Sequence, residues 1–136
     1  MSRMKLIVGF SGAALLLFAT LTGCSSVACT DIGYLYSVEV RTSGEFATLE
    51  ACAESGCAAS DADASANSLM FTVRPDGEGS WTVEPFPSTP DRLALRARDD
   101  AGALLAEESY DLEWTRTGGS EQCGGPMETP PLDFAV

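Results

Sequence analysis

Apolar and polar residues alternate along most of the chain beyond residue 33. Tyr34, Tyr36, Val38 and Val40 share one parity and Leu35, Ser37, Glu39 and Arg41 the other, the period of a half-buried strand. Ser43-Gly44 is a turn signal, and Phe46 to Cys52 reads as a second, less regular strand. Cys52 to Ser68, rich in Ala, Ser, Asp and Gly, reads as a loop with at most a weak helical turn. Leu69, Phe71 and Val73 alternate again, and Pro75-Asp76-Gly77-Glu78 is expected to turn the chain back into a strand carrying Trp81 and Val83. Pro85, Pro87 and Pro90 are expected to end that strand and to exclude a central position in a sheet, with Phe86 exposed between its prolines. Leu93, Leu95 and Ala97 then oppose Arg92, Arg96 and Arg98 in parity, and Asp99-Asp100-Ala101-Gly102 forms a loop. The return strand puts Leu104, Ala106, Tyr110, Leu112 and Trp114 on the apolar face, with Arg96 diagonal to Glu107. Glu108 would point inward, and a bulge near Glu107 is expected to relieve it. Residues 117–131 read as loop, and Leu132, Phe134 and Val136 as a last strand.

The N-terminal segment has a different pattern. Arg3 and Lys5 precede an almost wholly apolar run from Leu6 to Leu21, which ends in small residues and Cys24. A charged start, a short apolar stretch and a small-residue cleavage site read as an export signal. The run is short for a bilayer span and is diluted by Gly9, Ser11, Gly12, Thr20 and Thr22. Leu21-Thr22-Gly23-Cys24 resembles the lipobox of bacterial lipoproteins. That resemblance implies cleavage before Cys24, a diacylglycerol on its sulfur and often a third acyl chain such as palmitate on its amino group. Two or three chains make a durable anchor on the outer face of the cell membrane, at about 0.8 kcal/mol per buried methylene. The domains are then a signal over 1–23, a lipidated N-terminus and linker over 24–31, and one folded domain over 32–136. The linker itself, Ser25 to Asp31, reaches only about 25 Å when fully extended.

Seven short strands with frequent turns and no amphipathic helix predict an all-β antiparallel sandwich, with a β-barrel as the runner-up. The layout resembles an immunoglobulin-like or fibronectin-like domain, and also the small uncharacterised β-sandwich lipoproteins of high-GC Gram-positive bacteria. The Cys…Trp…Cys spacing of antibody domains is absent. Beyond Cys24 there remain Cys29, Cys52, Cys57 and Cys123, an even number that in an exported chain reads as two disulfides. If every connection reverses the chain, all four gather at the pole nearest the lipid. No connectivity is excluded by this, but Cys52–Cys57 and Cys29–Cys123 are favoured. The first closes a tiny loop, and the second ties the start of the first strand to that of the last.

Charge and composition narrow the chemistry. Removing 23 of the 136 residues leaves 113, with six arginines, no lysine and all twenty acidic residues, a formal charge of −14. Such a charge argues against nucleic acid as a partner. The chain has no histidine. Ser-His-Asp, Cys-His and Schiff-base catalysis and the usual zinc sites are therefore not expected, and no catalytic residue is assigned. The expected role is a non-catalytic, membrane-anchored module that contacts an envelope protein, a wall polymer or a small ligand. A carboxylate-based hydrolase and a structural spacer are the alternatives.

Two acidic stretches are candidate cation sites. Asp61, Asp63, Ser65 and Asn67 alternate like the first half of an EF-hand loop, but Ala66 replaces its glycine and Thr72 its closing glutamate, so a plain polar loop is expected. Strand direction also gathers three turns at the membrane-distal pole, contributing Glu45, Asp76, Glu78, Asp99 and Asp100. This pole is a candidate interaction surface for a divalent cation such as calcium, or for a basic partner. The competing account is that turns favour Asp, Gly and Ser for conformational reasons alone. No other cofactor is expected.

Overall fold

Alternation decides which side of each strand is buried. In the structure, a computed structural model describing residues 28–29, 33–61 and 71–136, Val38, Val40, Leu49, Ala51, Val83, Leu93, Leu95 and Ala97 are all fully buried. Their polar neighbours in sequence face outward. Among the described residues there are ten strands: β1 (Tyr36–Ser43), β2 (Thr48–Ala53), β3 (Gly56–Ala59), β4 (Thr72–Gly77), β5 (Ser80–Phe86), β6 (Arg92–Arg98), β7 (Leu104–Asp111), β8 (Thr115–Arg116), β9 (Met127–Glu128) and β10 (Leu132–Ala135). There is no helix among the described residues. Eight strands form two four-stranded sheets, β10-β1-β5-β4 and β3-β2-β6-β7, while β8 and β9 make a small separate ladder. Their inner faces share one core, to which β10 adds Leu132 and Phe134, giving an all-β sandwich.

The sheets are antiparallel except at one pair. β10 lies parallel to β1, with Val40 opposite Leu132 and Thr42 opposite Phe134. With β10 in the position of strand A, the two sheet orders are those of the ABED and C′CFG sheets of an immunoglobulin domain. In that domain strand A comes first along the chain, whereas here the same place is filled from the far end of the sequence.

Local expectations are corrected at four places. Residues 56–59 are not loop: β3 pairs with β2 in a hairpin, Ala51 opposite Ala58 and Cys52 opposite Cys57. The β4–β5 turn lies at Glu78-Gly79, because Gly77 pairs with Ser80 and Asp76 is the extra residue of a bulge. Gly79 has φ +70, a left-handed conformation that glycine takes at no steric cost, and a Cβ there would stand 3.0 Å from the Thr42 carbonyl oxygen. Pro75 fits β4 because β4 is an edge strand. Pro85 lies inside β5, which is central; the register shifts between Val38 and Tyr36 leave Glu84 and Pro85 together opposite Ser37, so the missing N–H falls in a bulge. Phe86, expected outside, is 3 % exposed and stacks on Phe71 with ring centroids 4.8 Å apart.

The fourth correction concerns β7. Arg96 stands directly opposite Glu107, not diagonal to it, and the extra residue in this hairpin is Leu105, between the Ala97–Ala106 and Arg98–Leu104 pairs. Glu108, opposite Leu95, does share the inward parity. It needs no bulge of its own, because β7 is an edge strand and its inward side opens onto solvent at the rim.

That rim holds a latch between the sheets. The Tyr110 hydroxyl on β7 lies within donating distance of two acceptors, Glu108 Oε2 at 2.8 Å and the Asp133 carbonyl oxygen on β10 at 2.8 Å. Burial first, and then the hydrogen bond to Glu108, push the phenol well above the ordinary tyrosine range. The folded chain thus holds this proton more tightly than the unfolded chain. The resulting stability is complete below the unfolded value, near pH 10, and drains away as pH climbs from there towards the folded value. The stability difference between parent and Tyr110→Phe in urea melts is therefore expected to be constant from pH 7 to 9 and to shrink above pH 10. A difference independent of pH up to 11 contradicts the latch.

Candidate functional site

Strand direction brings the β1–β2, β4–β5 and β6–β7 turns to one pole. Residues 44–47 cross from one sheet to the other there, and the Ala47 amide donates to the Arg98 carbonyl oxygen at 2.8 Å. On one side of this crossing, Thr42, Glu45, Phe46, Glu78 and Trp81 line a depression of about 570 Å³. On the other side a depression of about 220 Å³ is lined by Glu45, Phe46, Ala47, Asp99, Asp100 and Leu105. Glu45, Phe46 and Ala47 line both, so the two depressions adjoin across this segment; together they are called the groove, with the crossing as its waist.

The floor of the wider part is aromatic. Phe46 and Trp81 meet at 5.7 Å between ring centroids, both half-buried against the core. The Trp81 indole N–H donates to Thr42 Oγ1 at 3.1 Å, and the Thr42 amide donates to the Gly79 carbonyl oxygen at 2.8 Å, which fixes the β4–β5 turn beside β1. Beyond the waist the bulge at Leu105 leaves that side chain 48 % exposed.

Four of the five acidic residues expected at this pole line the groove: Glu45, Glu78, Asp99 and Asp100. The fifth, Asp76, is displaced by the bulge in β4. Its carboxylate accepts from Thr82 Oγ1 and lies 3.7 Å from Arg74, on the outer face of the sheet. Asp99 has a turn-forming role as well, since its Oδ1 accepts from the Ala101 and Ala103 amides at 2.9 and 2.8 Å.

Electrostatics separates this pole from the sheet faces. Arg41, Arg74, Arg92, Arg96 and Arg98 each pair with an acidic residue of the sheets. Among the described residues no ion pair reaches Glu45, Glu78, Asp99 or Asp100. The densest charged row lies elsewhere, on the outer face of β2, β6 and β7. There Arg96 donates to Glu50 at 3.0 Å and to Glu107, and these two hydrogen bonds, Glu50 first, hold its guanidinium still more firmly protonated.

The same face carries a disulfide. The structure pairs Cys52 with Cys57 across the β2–β3 hairpin and Cys29 with Cys123, the two pairings favoured from the sequence among those that strand direction left open. Arg96 Nη1 stands 3.5 Å from Cys52 Sγ. Donor atoms of Glu50, Cys52 and Cys57 come within 4.8 Å of one another, the one such group of three among the described residues. Both sulfurs are spent in the disulfide and the carboxylate accepts from Arg96, so this donor set is already taken.

A further depression, about 370 Å³, lies at the opposite pole over Phe71 and Phe86. Cys24 and the Asp63–Asn67 stretch lie outside the described residues. Phe46 and Leu105 were missed as groove residues by sequence reading. The signal for Phe46 was its position just after a turn and off the alternation of β2; Leu105 had none, because a bulge decides its exposure. Fold and disulfides together define the class, a disulfide-stapled all-β sandwich. Comparison with protein-family models, with curated proteins and with solved structures gives no match to this chain.

Proposed function

We propose that the chain is an exported lipoprotein, anchored through Cys24 to the outer face of the cell membrane, whose sandwich is a non-catalytic binding module. One observation carries the reading best. Of five cysteines, the four beyond Cys24 are joined in two disulfides, which suits an oxidising compartment, and the odd one is the cysteine of the lipobox-like Leu21-Thr22-Gly23-Cys24. The absence of histidine from the whole sequence and a groove built from turns on a rigid frame favour binding over catalysis. Its partner would be an envelope protein, a wall polymer or a small ligand that meets Glu45, Glu78, Asp99 and Asp100 of the membrane-distal pole, which no ion pair reaches among the described residues.

The anchor is tested by fractionation with metabolic labelling. The parent chain is expected in the membrane fraction, carrying an alkyne-palmitate label. Cys24→Ser is expected to lose the label entirely and to accumulate either unprocessed or released. A label retained by Cys24→Ser, or unchanged membrane fractionation of a processed chain, would sink the lipoprotein reading.

A further inference from the structure

We infer that the groove at the β1–β2, β4–β5 and β6–β7 turns receives a basic, amphipathic segment of a partner protein, with lysine or arginine side chains laid over Phe46 and Trp81 and apolar side chains against Leu105. The inference rests on the binding-module reading and narrows it to one surface and one ligand chemistry.

Three features of the groove act together. Its floor is apolar and partly open, with the Phe46–Trp81 pair on one side of the waist and Leu105, 48 % exposed, on the other. Its walls carry Glu45, Glu78, Asp99 and Asp100, and no basic residue lines it. None of these four acids is neutralised by an ion pair among the described residues, although five arginines are paired on the sheet faces. A purely apolar ligand would desolvate Glu45, Glu78 and Asp100 with no cation to offset the cost, and Asp99 with only its two turn amides. A purely polar cation would leave the aromatic floor unused.

Lysine and arginine satisfy both surfaces. Their methylene stems lie on apolar area while the charged head stays at the rim, and a tryptophan face attracts the head itself. The spacing of the acids also bears on the choice of occupant. Calcium needs several oxygens converging on one point. Here the carboxylates are strung along the two sides of a waist, with Glu78 in one part, Asp99 and Asp100 in the other, and Glu45 between. Among the described residues no three of them bring donor atoms together. A row of separated negative groups fits a row of separated cationic heads. The charge of −14 on the chain beyond residue 23 adds long-range attraction for such a segment.

The test uses the full chain in neutral detergent, with Trp114→Phe as background so that fluorescence reports Trp81. The probe is a nine-residue peptide of alternating lysine and leucine; controls are the same peptide with glutamate for lysine, and calcium alone. The lysine peptide is expected to change Trp81 emission saturably. Its affinity should fall about tenfold or more between 20 and 300 mM salt. It should fall at least tenfold in Glu45→Gln/Glu78→Gln and stay within twofold in Asp133→Asn, an exposed acid on β10 outside the groove. Equal binding of the glutamate peptide, or indifference to Glu45 and Glu78, overturns the assignment, as does saturable binding of calcium without the peptide. Capture from the native envelope separates the two levels of the argument. A partner retained equally by parent and by Glu45→Gln/Glu78→Gln/Asp99→Asn/Asp100→Asn leaves the binding module standing and removes the groove; no partner and no peptide binding remove both.

Discussion

Phe134→Ala is expected to cost about 3–5 kcal/mol, the usual range for emptying a buried phenylalanine site. Phe134 is 2 % exposed, on β10, and packs in the core shared by both sheets. The loss has two parts, the transfer of the ring out of apolar surroundings and the cavity left where the rest of a rigid sheet cannot follow. Against a total stability of roughly 5–15 kcal/mol, and at about 4–8 °C per kcal/mol for a domain of this size, the melting temperature should drop by roughly 12–40 °C. Asp133→Ala, next along the strand and on its solvent side, is the control. It retains the carbonyl that receives Tyr110 and should change stability by no more than about 0.5 kcal/mol. Thermal melts by circular dichroism check both. Similar losses in the two variants would mean that β10 is not inserted with the parity described.

The second large effect is the contrast between the disulfides. Cys29–Cys123 joins residues 94 apart in sequence, Cys52–Cys57 residues five apart. In the chain-entropy account the first restrains the unfolded chain by about 4.7 kcal/mol and the second by about 2 kcal/mol. The double variant Cys29→Ala/Cys123→Ala should thus lose more than twice as much stability as Cys52→Ala/Cys57→Ala. Urea melts of each, with the other bond intact, check this. A larger loss in the hairpin variant would show that Cys52–Cys57 acts through the native packing of β3, not through the freedom of the unfolded chain.

How far this was legible in the sequence depended on the residue. Val38 and Val40, and Leu93, Leu95 and Ala97, announce their faces because strict alternation of strong apolar and charged residues admits one register. Arg96 against Glu107 was near the mark, but a one-residue bulge at Leu105 turned a diagonal into a direct pair, and nothing in Leu104-Leu105-Ala106 marks which residue will be extra. β3 went unseen because Gly56-Cys57-Ala58-Ala59 buries a single methyl group, that of Ala58; pairing with β2 and the cross-strand disulfide hold it. Pro85 and Phe86 misled for one reason: proline bars a central ladder only where an N–H is needed, and a bulge removes that need. The acidic pole followed from strand direction, but the aromatic floor did not. Phe46 lies in the crossing between the sheets and Trp81 in β5, and their meeting depends on the path that crossing takes.

The parallel pair β1–β10 has a consequence for the order of events in folding. Val40 must wait for Leu132, so the contact that completes one sheet is among the most distant in the chain. Closing so long a loop is entropically unfavourable before any contact is gained, and such topologies search slowly. Meanwhile β1 offers an open edge on which a neighbouring chain could template. A bond between Cys29 and Cys123 holds the segment before β1 close to the segment before β10. Once it forms, the search for the β1–β10 register runs over short tethers, and the interval in which that edge stands unprotected contracts accordingly.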